Sequence, residues 1–314
     1  MSFLLTAAAL LGMAPSPPPA DCLVETIVLG TGQDAGIPQI GNNDDPGWQD
    51  DAARRSATSI ALIDHRTDDR YLFEATPDIR AQLHALDEAS PGGNGSLGLS
   101  GVFLTHAHIG HYAGLMFFGH ESAGTSGLRV HAMPRMRAFL TDNGPWSQLV
   151  SYRNILLEPL VDNQPVRVGE GITVTPHLVP HRDEYSETVG YVIDTPGRDF
   201  LFLPDIDSWD RWAVEYDRRI EDMVDAVDIA YVDATFFDDN ELPGRDMSKI
   251  PHPRVAASMA RFADAPAEVR AKIRFIHYNH TNPVRFEDSP QSDEVREAGF
   301  AVAREGERMC LLSE

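Results

Sequence analysis

The segment LTHAHIGHYAGL, residues 104–115, constrains this chain more than any other feature. It places His106, His108 and His111 within six residues, behind the apolar run Gly101–Leu104 and ahead of a helix-forming stretch. At the end of a strand, side chains at i and i+2 point to one side, so His106 and His108 can grip a single ion. His111 follows one turn later and reaches the same ion or a second one. Imidazole is the common ligand of Zn, Fe, Ni and Cu, and three of them together point to a transition metal. A fold that uses this motif must bring further ligands to the end of the same strand.

The chain has 314 residues, enough for one large domain, and its 42% apolar content suits a substantial core. Its formal charge of -22 argues against nucleic acid and anionic membrane surfaces as general partners and leaves a small-molecule substrate. Residues 3–14 form a short apolar run followed by a Pro-rich, small-residue stretch. This pattern reads as a secretory signal peptide within residues 1–22, cleaved after Ala14 or Ala20, ahead of a single domain over residues 23–314. The run is too short to span a bilayer. Export would place the protein in the periplasm or outside the cell; without cleavage it stays in the cytoplasm. The two cysteines, Cys22 and Cys310, sit at opposite ends of the chain. In an oxidising compartment they can join the first and last strands; otherwise they are two free thiols.

Strand patterns cover Leu23–Leu29, Thr58–Ile63, Tyr71–Glu74, Val102–Leu104, Ile172–Pro176, Thr188–Ile193, Phe200–Leu203, Ile229–Val232 and Lys272–Ile276, with closing strands in Phe300–Leu312. Helices are expected from Pro77 to Leu86, near Ser208–Val224 and near Pro253–Phe262. Residues 34–55 are rich in Pro, Gly, Asn and Asp and read as a long loop of the kind that covers a site. Two α/β halves, each rich in strand, predict an α/β fold with two packed sheets and helices outside.

Four later features supply ligand types at strand ends. VPHRDEYSETVGY places His181 between two strands. FLFLPDID places Asp205 at the end of a very apolar strand, where a carboxylate is costly unless it points into a site. FIHYNHTNP places His277 and His280 after another apolar strand, and YLFEATPD places Glu74 at a strand end. His65, His84, His120, His131, His177 and His252 have no motif support and are read as structural or surface residues. His177, four residues before His181, would face the same way if both lay on one strand.

The order HxHxxH, His, Asp, His resembles the metallo-β-lactamase superfamily over about residues 23–312. The closer resemblance is to the pyrroloquinoline-quinone biosynthesis B family. It is carried by GTGQDAGIPQ, RRSATSIAL, FEATPDIRAQL, PHRDEYSETVGY and FIHYNHTNP. The resemblance implies an αββα sandwich of two mixed sheets with a metal centre at the edge between them. It also implies that His106, His108 and His181 bind one metal, that Asp205 bridges, and that His111 with His277 or His280 serves a second. His277 is preferred because it directly follows the strand. Glu74 then supports a histidine from behind. Two departures stand out. Gly110 occupies the Asp position of the usual HxHxDH, so the second metal position is weakened or rebuilt, with Asp34 or Glu184 as substitutes. Residues 40–50 lack the cysteine-rich loop typical of the B family, which suits an exported relative.

One or two divalent transition metals, Zn or Fe, follow from this donor set. Metal-activated water would hydrolyse an ester, lactone, amide or phosphodiester, with Asp205 holding the water or acting as base. The B-family resemblance implies instead an iron- and dioxygen-dependent hydroxylation of a tyrosine-derived substrate. A metal-bearing binding protein without catalysis is the third reading.

Overall fold

The computed structural model describes residues 21–314. The segment proposed as a signal peptide therefore lies, up to Ala20, outside the described residues. Among the described residues, fourteen strands form two seven-stranded mixed sheets. The first contains β1 (Cys22–Gly30), β2 (Ser59–Asp64), β3 (Asp69–Phe73), β4 (Gly101–Phe103), β5 (Leu128–Ala132), β6 (Ile155–Pro159) and, from the far end of the chain, β14 (Arg308–Ser313). The second contains β7 (Val166–Gly169), β8 (Ile172–Leu178), β9 (Val189–Asp194), β10 (Phe200–Leu203), β11 (Ile229–Asp233), β12 (Ile273–Ile276) and β13 (Ala301–Val302). Their orders are β14-β1-β2-β3-β4-β5-β6 and β13-β12-β11-β10-β9-β8-β7.

Period-two alternation builds the layers. Ile60 and Leu62 of β2 enter a core shared by the two sheets, where they meet Phe200 and Phe202 of β10. Ala61 and Ile63 face the opposite way, into a core completed by helices Ile79–Ala89 and Pro134–Asp142. Leu201 and Leu203 face outward in the second sheet, against helices Trp209–Tyr216 and Val255–Arg261. The result is the expected αββα sandwich. Between the sheets, the Phe73 ring stacks on Phe103 at 5.2 Å and meets Phe202 edge-on at 5.9 Å. Among the described residues, no helix is long and apolar enough to cross a membrane.

Three details depart from the sequence pattern. The helix expected over Ser208–Val224 is two, Trp209–Tyr216 and Ile220–Asp225, broken where Asp217 turns left-handed at φ 53°. Phe300–Leu312 supplies strands to opposite sheets, because the chain crosses from β13 to β14. Strand β1 begins at Cys22, which is bonded to Cys310. Cleavage after Ala20 keeps this bridge, whereas a domain boundary after residue 22 would remove half of it.

The bridge spans 288 residues of sequence and ties β1 to the edge strand β14. Loop-closure entropy for so long a loop gives roughly 5–6 kcal/mol as an upper figure. Cys310→Ser, or the parent in reductant, is therefore expected to melt about 5–10 °C lower. Thermal unfolding with and without reductant checks this. An unchanged melting temperature would show that the bridge does not restrain the unfolded chain.

Candidate metal centre

The site sits where parallel strands end. β3 and β4 run parallel, as do β10, β11 and β12. Their C-terminal ends carry Glu74, the His106–His111 segment, Asp205, Asp233 and His277. Glu74 and His277 leave their strands with φ 78° and 65°. Such values are uncommon for residues other than glycine and turn both side chains inward. Burial is deep: His106, His111 and His277 are each 1% exposed or less.

Each imidazole has its outward nitrogen fixed by an acceptor. His181 Nδ1 donates to Asp207 at 2.9 Å, and His108 Nε2 donates to Glu184 at 3.0 Å. His111 Nδ1 donates to Glu74 at 3.2 Å. Thr105 Oγ1 donates to Glu74 at 2.5 Å, so it accepts from His106 Nδ1 at 2.9 Å. Thr235 Oγ1 donates to Asp233 at 2.8 Å and accepts from His277 Nδ1 at 3.3 Å. The inward nitrogens therefore all present lone pairs. His106 Nε2 lies 2.8 Å from His108 Nδ1, which lies 3.1 Å from His181 Nε2. Around them, Asp205 Oδ2 is 3.4 Å from His106 Nε2, 3.3 Å from His181 Nε2, 3.7 Å from His111 Nε2 and 3.9 Å from His277 Nε2.

Five lone pairs and a carboxylate converging in a buried space repel one another unless a cation lies between them. His111 Nε2, His277 Nε2 and Asp205 Oδ1 are buried with no hydrogen-bond partner, which is costly without a ligand. The candidate ligands fall into three sets, His106, His108, His181 and Asp205 in one, His111, Asp205 and His277 in another, and Asp205, Asp233 and His252 in the third. Asp205 belongs to all three. The first two, nitrogen-rich with one carboxylate, fit a divalent transition metal.

The electrostatics of His106, His277 and Asp205 match, whereas at His111 burial is outweighed by Glu74, which raises the imidazole. Burial pushes the His106 imidazole well below its ordinary range, helped by His111 beside it. Burial takes His277 down to about 4. Burial alone would raise the Asp205 carboxyl, but His181, His277, His252 and His106 outweigh it and hold it well below the usual carboxylate range.

Of the sequence candidates, His106, His108, His111, His181, Asp205 and His277 are brought together. His280 is not. Its Nδ1 lies 2.7 Å from its neighbour Asn279 Oδ1, and its carbonyl accepts from Arg285 at 2.7 Å. Glu184 stands behind His108, and Glu74 behind His111 and Thr105. Asp34 lies with its backbone against Gly110, one residue from His111, and its carboxylate belongs to none of the ligand sets. His177 ends up apart because β8 stops at Leu178, so His181 belongs to the following loop rather than to the same strand face. His277→Ala is accordingly expected to cost metal uptake at least about tenfold, and His280→Ala to leave it within a factor of about two. Metal titration of both folded variants checks this, and the reverse ranking would give the role to His280.

Sequence reasoning missed His252 and Asp233. His252 Nδ1 donates to Asp233 Oδ2 at 2.8 Å and lies 3.2 Å from Asp205 Oδ1. Burial opposes its protonation, but Asp233 and Asp205 overcome this and push it up to about 9. Its φ of 116° is in the left-handed region, and a cavity of about 230 Å³ lined by Asp207, Trp209 and Pro253 opens beside it. The available signal was Asp233 at the end of the apolar strand β11, where a carboxylate needs a partner.

The sequence profile of the beta-lactamase superfamily domain matches residues 69–278. The chain belongs to that superfamily. It is similar to coenzyme PQQ synthesis protein B of Bradyrhizobium diazoefficiens, with 25% identity over 332 residues, covering 92% of this chain and 100% of the relative. The crystal structure of Zn(2+)-bound PqqB from Methylobacterium extorquens superposes with a TM-score of 0.73 at 23% identity, covering 91% of this chain and 99% of that one. A diphosphatase from the PhnP family follows at 0.62 and 21%, covering 91% and 96%.

Proposed function

We propose that the protein is a metal-dependent hydrolase of small molecules. In this reading His106, His108 and His181 hold one divalent ion, His111 and His277 serve a second, and Asp205 stands between them. The observation that carries it is the convergence of five fixed imidazoles on one carboxylate, with the Asp233–His252 pair against that carboxylate's other oxygen. A bound transition metal, Zn or alternatively Fe, supplies water acidified to near neutral pH and a Lewis acid for a carbonyl or phosphoryl oxygen.

The chain's own residues do the rest. Thr105, Glu74, Asp207, Glu184 and Thr235 fix the ring orientations. Asp205 orients the nucleophilic water. Asp233 holds His252 through Nδ1, leaving Nε2 to donate a proton to the departing oxygen or nitrogen. The substrate class is an ester, lactone, amide or phosphodiester, and the charge of -22 disfavours a polyanion.

End-to-end similarity to a coenzyme PQQ synthesis protein favours a second reading, iron- and dioxygen-dependent hydroxylation of a tyrosine-derived molecule. Elemental analysis of anaerobically purified protein, paired with turnover under nitrogen, separates the two. Zinc with full activity under nitrogen supports hydrolysis; iron with an oxygen requirement overturns it. The Cys22–Cys310 bridge and the apolar segment 3–14 support a periplasmic or secreted location, which sequencing the N-terminus of protein from each cell fraction tests.

A further inference from the structure

The His111, Asp205 and His277 set has a single carboxylate, shared with the other sets, and two buried imidazole nitrogens without partners. The turn Gln33–Gly36 is built against it. Gln33 N donates to the Tyr278 carbonyl at 3.0 Å, one residue from His277, and Gly36 N closes the turn on Gln33 O at 3.1 Å. On its other side the turn presses on Gly110, one residue from His111. A Cβ at Gly110 would stand 2.2 Å from the Asp34 carbonyl oxygen and 2.6 Å from its Cα. Asp34 is thus wedged between the two histidine-bearing segments, half-buried, with a φ of 48° that few non-glycine residues adopt.

Resting on the metal-centre reading above, we infer that Asp34 supplies the second carboxylate of the His111–His277 metal position, and that Gly110 is glycine to admit the Asp34 turn. Position 110 bears no side chain because the backbone that delivers this carboxylate occupies the space one would need. Glu184 is excluded by its place. Its Oε2 accepts from His108 Nε2 at 3.0 Å and its Oε1 lies 3.4 Å from Arg182, on the His106, His108 and His181 side. With its backbone against Gly110 and its neighbour Gln33 bonded to the Tyr278 carbonyl, the Asp34 side chain starts within one residue of both histidine-bearing segments.

The test titrates Zn(II) into chelator-stripped protein, with calorimetry and elemental analysis as readouts. The parent takes up two equivalents. Asp34→Asn, which keeps the size and the tolerance of a left-handed backbone, retains the first and weakens the second by at least about 100-fold. Asp34→Gly does the same with the turn conformation relaxed, so misfolding is not the cause. Gly110→Ala weakens the second equivalent with the carboxylate still present, by displacing the turn. Glu184→Gln leaves the second equivalent unchanged. A parent that binds one equivalent only, or an Asp34→Asn protein that binds the second as tightly as the parent, overturns the inference. His106→Ala separates this from the underlying reading. If it keeps the first equivalent, the centre itself is misread; if it loses the first while Asp34→Asn is silent, only the role of Asp34 falls.

Discussion

Replacing His106 or His181 with alanine is expected to abolish stoichiometric metal retention while leaving a folded protein. Both rings direct Nε2 at Asp205 Oδ2, at 3.4 and 3.3 Å, and both are oriented from behind, by Thr105 and Asp207. Loss of an orienting partner alone costs metal affinity about 10–100-fold, so loss of the ring itself exceeds that. Folding survives because the metal-free arrangement already gains little from these contacts. The inward nitrogens face one another with lone pairs, and removing one relieves repulsion as it opens a cavity. Elemental analysis after gel filtration, with circular dichroism to check the fold, reads the outcome. Stoichiometric metal in either variant would remove that residue from the centre.

The sequence exposed the parts of this site that sit on regular structure. His106 and His108 follow β4, Asp205 follows β10 and His277 follows β12, and each interrupts an apolar run with a residue that must be satisfied. A strand fixes the direction of the residue just beyond it, which is why His277 rather than His280 reaches Asp205. What stayed hidden depends on contacts between distant segments. His252 lies in Pro251–His252–Pro253, with no strand before it, and its role appears only when Asp233 is brought beside it. The loop over residues 34–55 reads as a cover, but what pins it is the buried pair of Asp45 and Arg285, at 2.6 Å and 240 residues apart. No local pattern announces such a pair. The break at Asp217 was equally silent, since a polar residue in an amphipathic helix carries no mark of a left-handed backbone. Gly110 could be seen as a departure, but the reason for it needed the Asp34 turn.

The Asp233–His252 pair yields the other large effect. His252→Gly is expected to lower kcat by about 10²–10⁴-fold with metal stoichiometry unchanged, if His252 is the proton donor to the leaving group. Glycine suits this position because the native φ of 116° is one that glycine adopts freely, so the substitution removes the ring without straining the chain. Asp233→Asn is the less clean probe. Its carboxylate accepts from Ile206 N at 3.1 Å, Thr235 N at 2.8 Å and His252 Nδ1 at 2.8 Å, so an amide there leaves a buried group mispaired. The deciding measurement is the leaving-group dependence of the loss. A nitrophenolate departs without a proton, so His252→Gly should barely slow its release, whereas an alkoxide or amine needs the proton and should show the full loss. Added imidazole should restore part of the slow reaction, because the vacated space beside Asp233 can receive it. A uniform loss across leaving groups, without rescue, would mean that His252 only buttresses Asp205. Oxygen-dependent hydroxylation, which expels no leaving group, would have no such dependence to show, so this series bears on the reaction type as well as on the residue.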